Sequence, residues 1–228
     1  MPSRWRSFTP AWICARTSDV DRHKVVRWVV KPVVFAVALL PTAWLAWRVL
    51  HNDLGTNPIE TLNRYTGDWT LRFLLLALAV TPLRRLSGWN ALLRLRRMIG
   101  LFAFFYACMH FLTWVWIDQY FNWGEIVKDV IKRPFITLGF ACLVMLTPLA
   151  VTSTSGMVRR LGAKRWLRLH RLVYAAGIGG VIHYWWLVKS DIREPLMYGT
   201  ILVLLLGLRV FWAWRERRRL PSADTVAQ

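Results

Sequence analysis

The chain has 228 residues, 56% of them hydrophobic and 15 of them Trp, with 31 Lys and Arg against 12 Asp and Glu, a formal net charge of +19. A soluble protein this basic would point to nucleic acid. Here the apolar residues run in long blocks and the Lys and Arg cluster between them, which is the pattern of a polytopic membrane protein and sets nucleic-acid binding aside.

Residues 1–28 read as a basic cytoplasmic tail. They hold no clean apolar core and no cleavage site, so no signal peptide is expected. Six spans follow. The first covers about Val29 to Val49 and contains Pro41, which should kink it. The second covers about Trp69 to Leu83, and the third about Met98 to Ile117. The fourth covers about Pro134 to Val151, with Pro134 well placed to open a helix. The fifth covers about Trp166 to Val188, and the sixth about Pro195 to Trp214. Each is near the ~20 residues that cross ~30 Å of hydrocarbon, with the second and fourth on the short side. Residues 215–228 form a second cytoplasmic tail. The expected fold is therefore an all-α membrane protein, a six-helix bundle over 29–214.

Four segments hold most of the cations: the N-terminal segment (Arg4, Arg6, Arg16, Arg22, Lys24, Arg27 and Lys31), Arg84 to Arg97, Arg159 to Arg171, and Arg215 to Arg219. All four fall on one side of a six-span topology. The other loops, about 51–68, 118–133 and 189–195, carry most of the acids. The bias of basic residues towards the cytoplasm then places both termini there. Trp28, Trp69, Trp166, Trp185 and Trp212 fall at span ends and read as interfacial anchors. Cys14, Cys108 and Cys142 show no ligand spacing and no disulfide framework. Neither GxGxxG nor a P-loop occurs, so nicotinamide or ATP chemistry is not expected.

The informative residues are three intramembrane histidines, His110, His170 and His183. An ionisable group at bilayer depth costs about 2.5–3.5 kcal/mol or more unless it has a partner. His110 lies twelve residues beyond Met98, roughly 18 Å into span three. His183 lies thirteen residues, roughly 20 Å, beyond His170 at the inner end of span five. His110 and His183 should therefore share a depth in the outer half, where two imidazoles on facing helices can bind a porphyrin iron from both sides. On span three, the depth-mate of His170 is Arg96 or Arg97. Arginine is a poor iron ligand but suits haem propionates, so an inner haem has an unusual second ligand or is absent. Thirteen residues fall about 140° short of whole turns, so an ideal helix would not aim His170 and His183 at one neighbour. Span five is accordingly expected to bend or rewind at Gly177 to Gly180, although those glycines could equally serve close helix packing. His51 and His23 are expected to be solvated.

Five segments carry a family resemblance: TPLRRL at 81–86, RRMIGLFAFFYACMH at 96–110, RPFITLG at 133–139, LTPLAVTST at 146–154, and RWLRLHRLVYAAGIGGVIHYWWLVKSD at 165–191. Over about residues 25 to 215 the chain resembles the MsrQ family, within the ferric-reductase-like transmembrane domains. The resemblance implies a cytochrome b of the bacterial inner membrane that holds one or two haem b groups, with FMN also attributed. It implies a donor in the quinone pool or a cytoplasmic flavin reductase. The acceptor would be a periplasmic molybdopterin-containing subunit that reduces methionine sulfoxide in envelope proteins, so this chain would be the electron-transfer subunit rather than the catalytic one. His110, His170 and His183 match the family's histidines, and Arg96 or Arg97 stands where related ferric reductases carry a fourth. No flavin or NADPH dehydrogenase segment follows span six, so electrons are expected from a membrane donor or a separate protein.

Two other readings stand beside this one. A quinol- or flavin-dependent ferric reductase would differ only in the terminal acceptor. A histidine-lined transporter would expect carboxylates in the spans, and none falls in a span core.

Overall fold

The computed structural model describes residues 24–188 and 191–219 and is helical throughout its regular structure. The chain divides into two compact units, Met1–Trp47 and Arg48–Gln228. Arg4, Arg6, Cys14, Arg16, Arg22 and His23 lie outside the described residues.

In the first unit, a wide π-helical turn over Val26–Val30 runs into α1 (Lys31–Leu50), which continues through Pro41. Ala38, Pro41 and Leu45 form a buried stripe at helical spacing, while Leu40, Trp44 and Val37 are exposed.

In the second unit, α2 (Pro58–Ser87) is followed by α3 (Leu92–Leu112), which widens into a π-helical turn over Thr113–Asp118. Then come α4 (Trp123–Lys132), α5 (Pro134–Val151), α6 (Ser155–Leu161), α7 (Ala163–Leu169), α8 (Leu172–Leu187) and α9 (Arg193–Arg219). The helix α2 is much longer than the apolar run 69–83 within it. The Asn57 side chain accepts from Glu60 N–H at 3.3 Å, Pro58 opens the first turn, and Gly88 closes the helix at φ 69°.

α2 is the central element. It packs mainly on α3, and also on α8 and α9, while α5 packs on α8 and α3. Leu71, Leu75 and Leu78 of α2 meet Val181 of α8 and Tyr198 and Leu202 of α9 in a buried cluster. On its α3 side, Trp69 and Phe73 stack against Phe102 and Tyr106, with Phe73 and Tyr106 centroids 5.1 Å apart. Trp69 therefore serves the bundle interior rather than the interface alone.

The glycine run in α8 is not rewound: Leu172–Leu187 is continuous α-helix. The rewinding falls earlier, at His170 and Arg171, between α7 and α8. There the i→i+4 ladder gives way to i→i+3 bonds, Arg171 N–H to Arg168 at 3.2 Å and Tyr174 N–H to Arg171 at 3.0 Å. The glycines instead admit neighbours. A Cβ on Gly179 would lie 2.6 Å from Cys142 Sγ, and one on Gly177 3.3 Å from a Leu78 methyl. Small residues that let backbones approach are how helices associate in lipid, where no hydrophobic drive brings them together.

Four described helices are long and apolar enough to cross a membrane: Val26–Leu50, Leu92–Asp118, Pro134–Val151 and Arg193–Arg218. Their outward faces expose Leu40, Val144, Val203, Leu204 and Val210. The protein is a multi-pass membrane protein.

Candidate functional site

The structure brings together two of the three histidines singled out above. His110 stands near the end of α3 and His183 in the last turn but one of α8, with ring centroids 6.2 Å apart. Each imidazole is anchored on the helix opposite. His110 Nδ1 donates to the Asn63 carbonyl of α2 at 3.0 Å, with Thr66 Oγ1 at 3.3 Å. His183 Nδ1 donates to the Phe135 carbonyl of α5 at 2.7 Å. A carbonyl oxygen can only accept, so both Nδ1 atoms carry the proton and both Nε2 atoms keep a lone pair. Among the described residues neither Nε2 has a hydrogen-bond partner.

Two glycines make room for the rings. A Cβ on Gly67 would lie 3.2 Å from His110 Cε1, and one on Gly139 would lie 2.8 Å from His183 Cε1. Both histidines border a cavity of about 350 Å³ lined by α2, α3, α5 and α8. Leu71, Leu74, Phe111, Ile136 and Leu143 make its walls apolar, and Ala107, Ala176 and Gly180 keep it open. Arg64, Asp68, Asp118, Arg133 and Tyr184 bring polar groups to it.

The remaining predicted residues lie elsewhere. His170 stacks on Trp166 at 3.8 Å between centroids, and its Nδ1 donates to the Trp166 carbonyl at 3.1 Å. Trp166 in turn donates to the Thr152 carbonyl at 2.9 Å, so it is engaged inside the fold. Arg96 and Arg97 come within electrostatic reach of His170, and Arg97 Nη1 is 3.5 Å from Ser155 Oγ. They do not join the pair at His110 and His183. His51 is exposed at the end of α1.

The sequence reading named the ligand candidates but missed what orients them: Asn63, Phe135, Gly67 and Gly139. Backbone acceptors leave no mark in a sequence. Gly139 stood in the RPFITLG segment, one turn after the carbonyl that fixes His183, and a glycine there was the available signal.

A metal sits about 2.0–2.1 Å from an imidazole nitrogen, so two such bonds plus the radius of each ring span about 6 Å. The observed separation fits one metal between two imidazoles. Among the described residues, no three of His, Cys, Asp and Glu gather into a larger ligand set. A pair of imidazoles retains a metal best where a macrocycle supplies the other ligands, and the apolar cavity beside the pair suits a porphyrin.

Comparison with known proteins agrees. Residues 66–181 match the family described as ferric reductase like transmembrane component. A protein of Herminiimonas arsenicoxydans, named protein-methionine-sulfoxide reductase heme-binding subunit MsrQ, is 58% identical over 83% of this chain and 88% of its own length. Proteins of the same name from Rhodospirillum rubrum and Bordetella pertussis are 56% and 52% identical, over 83% and 82% of this chain and 92% of their own lengths. The chain belongs to the MsrQ family, within the ferric-reductase-like transmembrane proteins.

Proposed function

We propose that this chain is a membrane cytochrome b, in which His110 and His183 would hold one haem in the cavity between α2, α3, α5 and α8. The observation that carries this reading is the pair of imidazoles, 6.2 Å apart, each with Nδ1 tied to a backbone carbonyl. Haem, when bound, supplies a one-electron carrier.

The protein's own groups do the rest. The Nδ1–H bonds to Asn63 and Phe135 fix each tautomer and raise the basicity of Nε2. The apolar walls exclude water and keep the site's dielectric low. Arg64 and Arg133 border the same cavity and are suited to pair with propionates. Haem held by both imidazoles would supply electron transfer rather than oxygen binding.

The six-span topology with both termini in the cytoplasm belongs to this proposal. It is supported by the one-sided distribution of Lys and Arg, and by the length of α2, which exceeds what a span requires. His110 and His183 then lie towards the periplasmic face of the bacterial inner membrane. The proposed path draws electrons from the quinone pool or a cytoplasmic flavin reductase and passes them to a separate periplasmic molybdopterin subunit that reduces methionine sulfoxide. Relatives named as haem-binding subunits of that reductase support this acceptor. The match to ferric reductase like components keeps ferric iron as a second acceptor. Reconstituting the chain in vesicles with a reduced quinol separates the two. Electrons that reach an added methionine-sulfoxide reductase subunit but not ferric chelate support the first, and the converse result replaces it with the second.

A further inference from the structure

A second concave patch lies at the C-terminal ends of α2 and α9, far along the chain from the histidine pair. Arg84, Arg85, Trp212, Arg215 and Glu216 line a cleft of about 410 Å³. Its one carboxylate is engaged, since Arg85 Nη1 bonds Glu216 Oε1 at 2.9 Å. Arg85 also lies over the Trp212 indole, 5.2 Å from the ring centroid. That guanidinium is held in place from two sides.

Arg84 is different. Its Nη1 reaches Asn90 Oδ1 at 3.4 Å, but its Nε is buried and has no hydrogen-bond partner. Leaving a buried donor unmet costs about 1–3 kcal/mol, more on a charged group. Arg215 has no ion pair or hydrogen bond among the described residues. Three guanidiniums against one carboxylate leave the lining with two positive charges. Such a cleft has donors to offer and lacks acceptors.

The planar guanidinium fork matches the oxygens of a phosphate. The cleft sits between two helices at the end of the bundle that carries Arg84 to Arg97, where basic pockets between spanning helices take lipid headgroups. We propose that Arg84, Arg85 and Arg215 form a phosphate-binding site, with Trp212 as its wall. The phosphate of an anionic glycerophospholipid and free inorganic phosphate share this chemistry, and the test below tells them apart. The site is independent of the haem reading.

The experiment is native mass spectrometry on the full-length protein, stripped of lipid in detergent and then titrated with phosphatidylglycerol. A basic residue at a membrane surface contributes about fivefold in affinity, so Arg84→Gln with Arg215→Gln should weaken retention about 25-fold. Arg217→Gln with Arg218→Gln removes the same charge outside the cleft and should leave retention at the wild-type level. Equal weakening in both pairs, or wild-type retention in the first, overturns the site. If the double variant does not fold, Arg215→Gln alone, on an exposed residue, should still lose about fivefold. Excess inorganic phosphate then reports the source: displacement of the lipid shows that the site takes the free anion, and retention shows that it needs the lipid ester.

Discussion

His110 and His183 are 73 residues apart in sequence, on helices that run in the same direction, yet their rings stand 6.2 Å apart because each is pulled towards a different third helix. Asn63 of α2 holds one through its carbonyl and Phe135 of α5 holds the other. The pair therefore depends on all four helices around the cavity, and disturbing any of them should be read out at the histidines.

Gly139→Ala tests this from α5. The added methyl would sit 2.8 Å from His183 Cε1, so the ring must move and its bond to Phe135 must lengthen or break. Loss of an orienting partner costs about 10–100-fold in metal affinity. Haem titration of the apoprotein should show a loss in that range. Gly67→Ala, at 3.2 Å from His110 Cε1, should show a smaller one. Unchanged affinity in both would mean that ring placement is not limiting.

Gly179→Ala addresses packing away from the histidines. Its methyl would meet Cys142 Sγ at 2.6 Å across the α5–α8 contact. Overpacking of this kind costs about 1–3 kcal/mol. Thermal unfolding in detergent should fall for the single variant and largely recover when Cys142→Ala is added. Failure of the second change to recover stability would place the strain elsewhere.

Arg209→Lys tests a polar clamp in the same bundle. Arg209 Nη1 donates to the Tyr174 hydroxyl at 2.9 Å, and Nη2 donates to the Leu78 carbonyl, so one fork ties α9 to α8 and α2. An ammonium cannot make both bonds in that geometry. The variant should lose about 1–2 kcal/mol of stability in chemical unfolding, while its haem content stays at the wild-type level.

His170→Ala separates the third histidine from the pair. Its neighbours include Trp166 and the cations Arg96 and Arg97, with no second imidazole beside it among the described residues. The variant should keep the haem spectrum of the His110–His183 site. Loss of that spectrum would show that the Trp166–His170 end of the bundle supports the His110–His183 site after all.

The juxtaposition of His110 and His183 was legible in the sequence, because helical rise alone converts residue counts into distance along each helix. The placement of the break in span five was not. Geometry required a correction to the turn angle between His170 and His183, and the glycines were its obvious location. The chain instead breaks the helix at His170 and Arg171, where the imidazole shares the Trp166 carbonyl with its own backbone N–H and stacks on the same residue. Competition between a side chain and the backbone ladder leaves no periodic signature. The length of α2 was legible in principle: Asn57, Pro58 and Glu60 spell a helix start that hydropathy, reading only the apolar core, passes over. The 118–133 segment was read as a loop, and it holds the helix α4 after Tyr120 and Phe121, both at positive φ. Two non-glycine residues in that conformation cost about 1–2 kcal/mol each and follow no local propensity.

The most direct test is haem stoichiometry. The optical spectrum of detergent-purified protein, oxidised and dithionite-reduced, is taken with pyridine haemochrome quantitation for the wild type, His110→Ala and His183→Ala. The account predicts a sharp reduced b-type band in the wild type and its loss in each variant. A variant that keeps the wild-type band and haem content would contradict it.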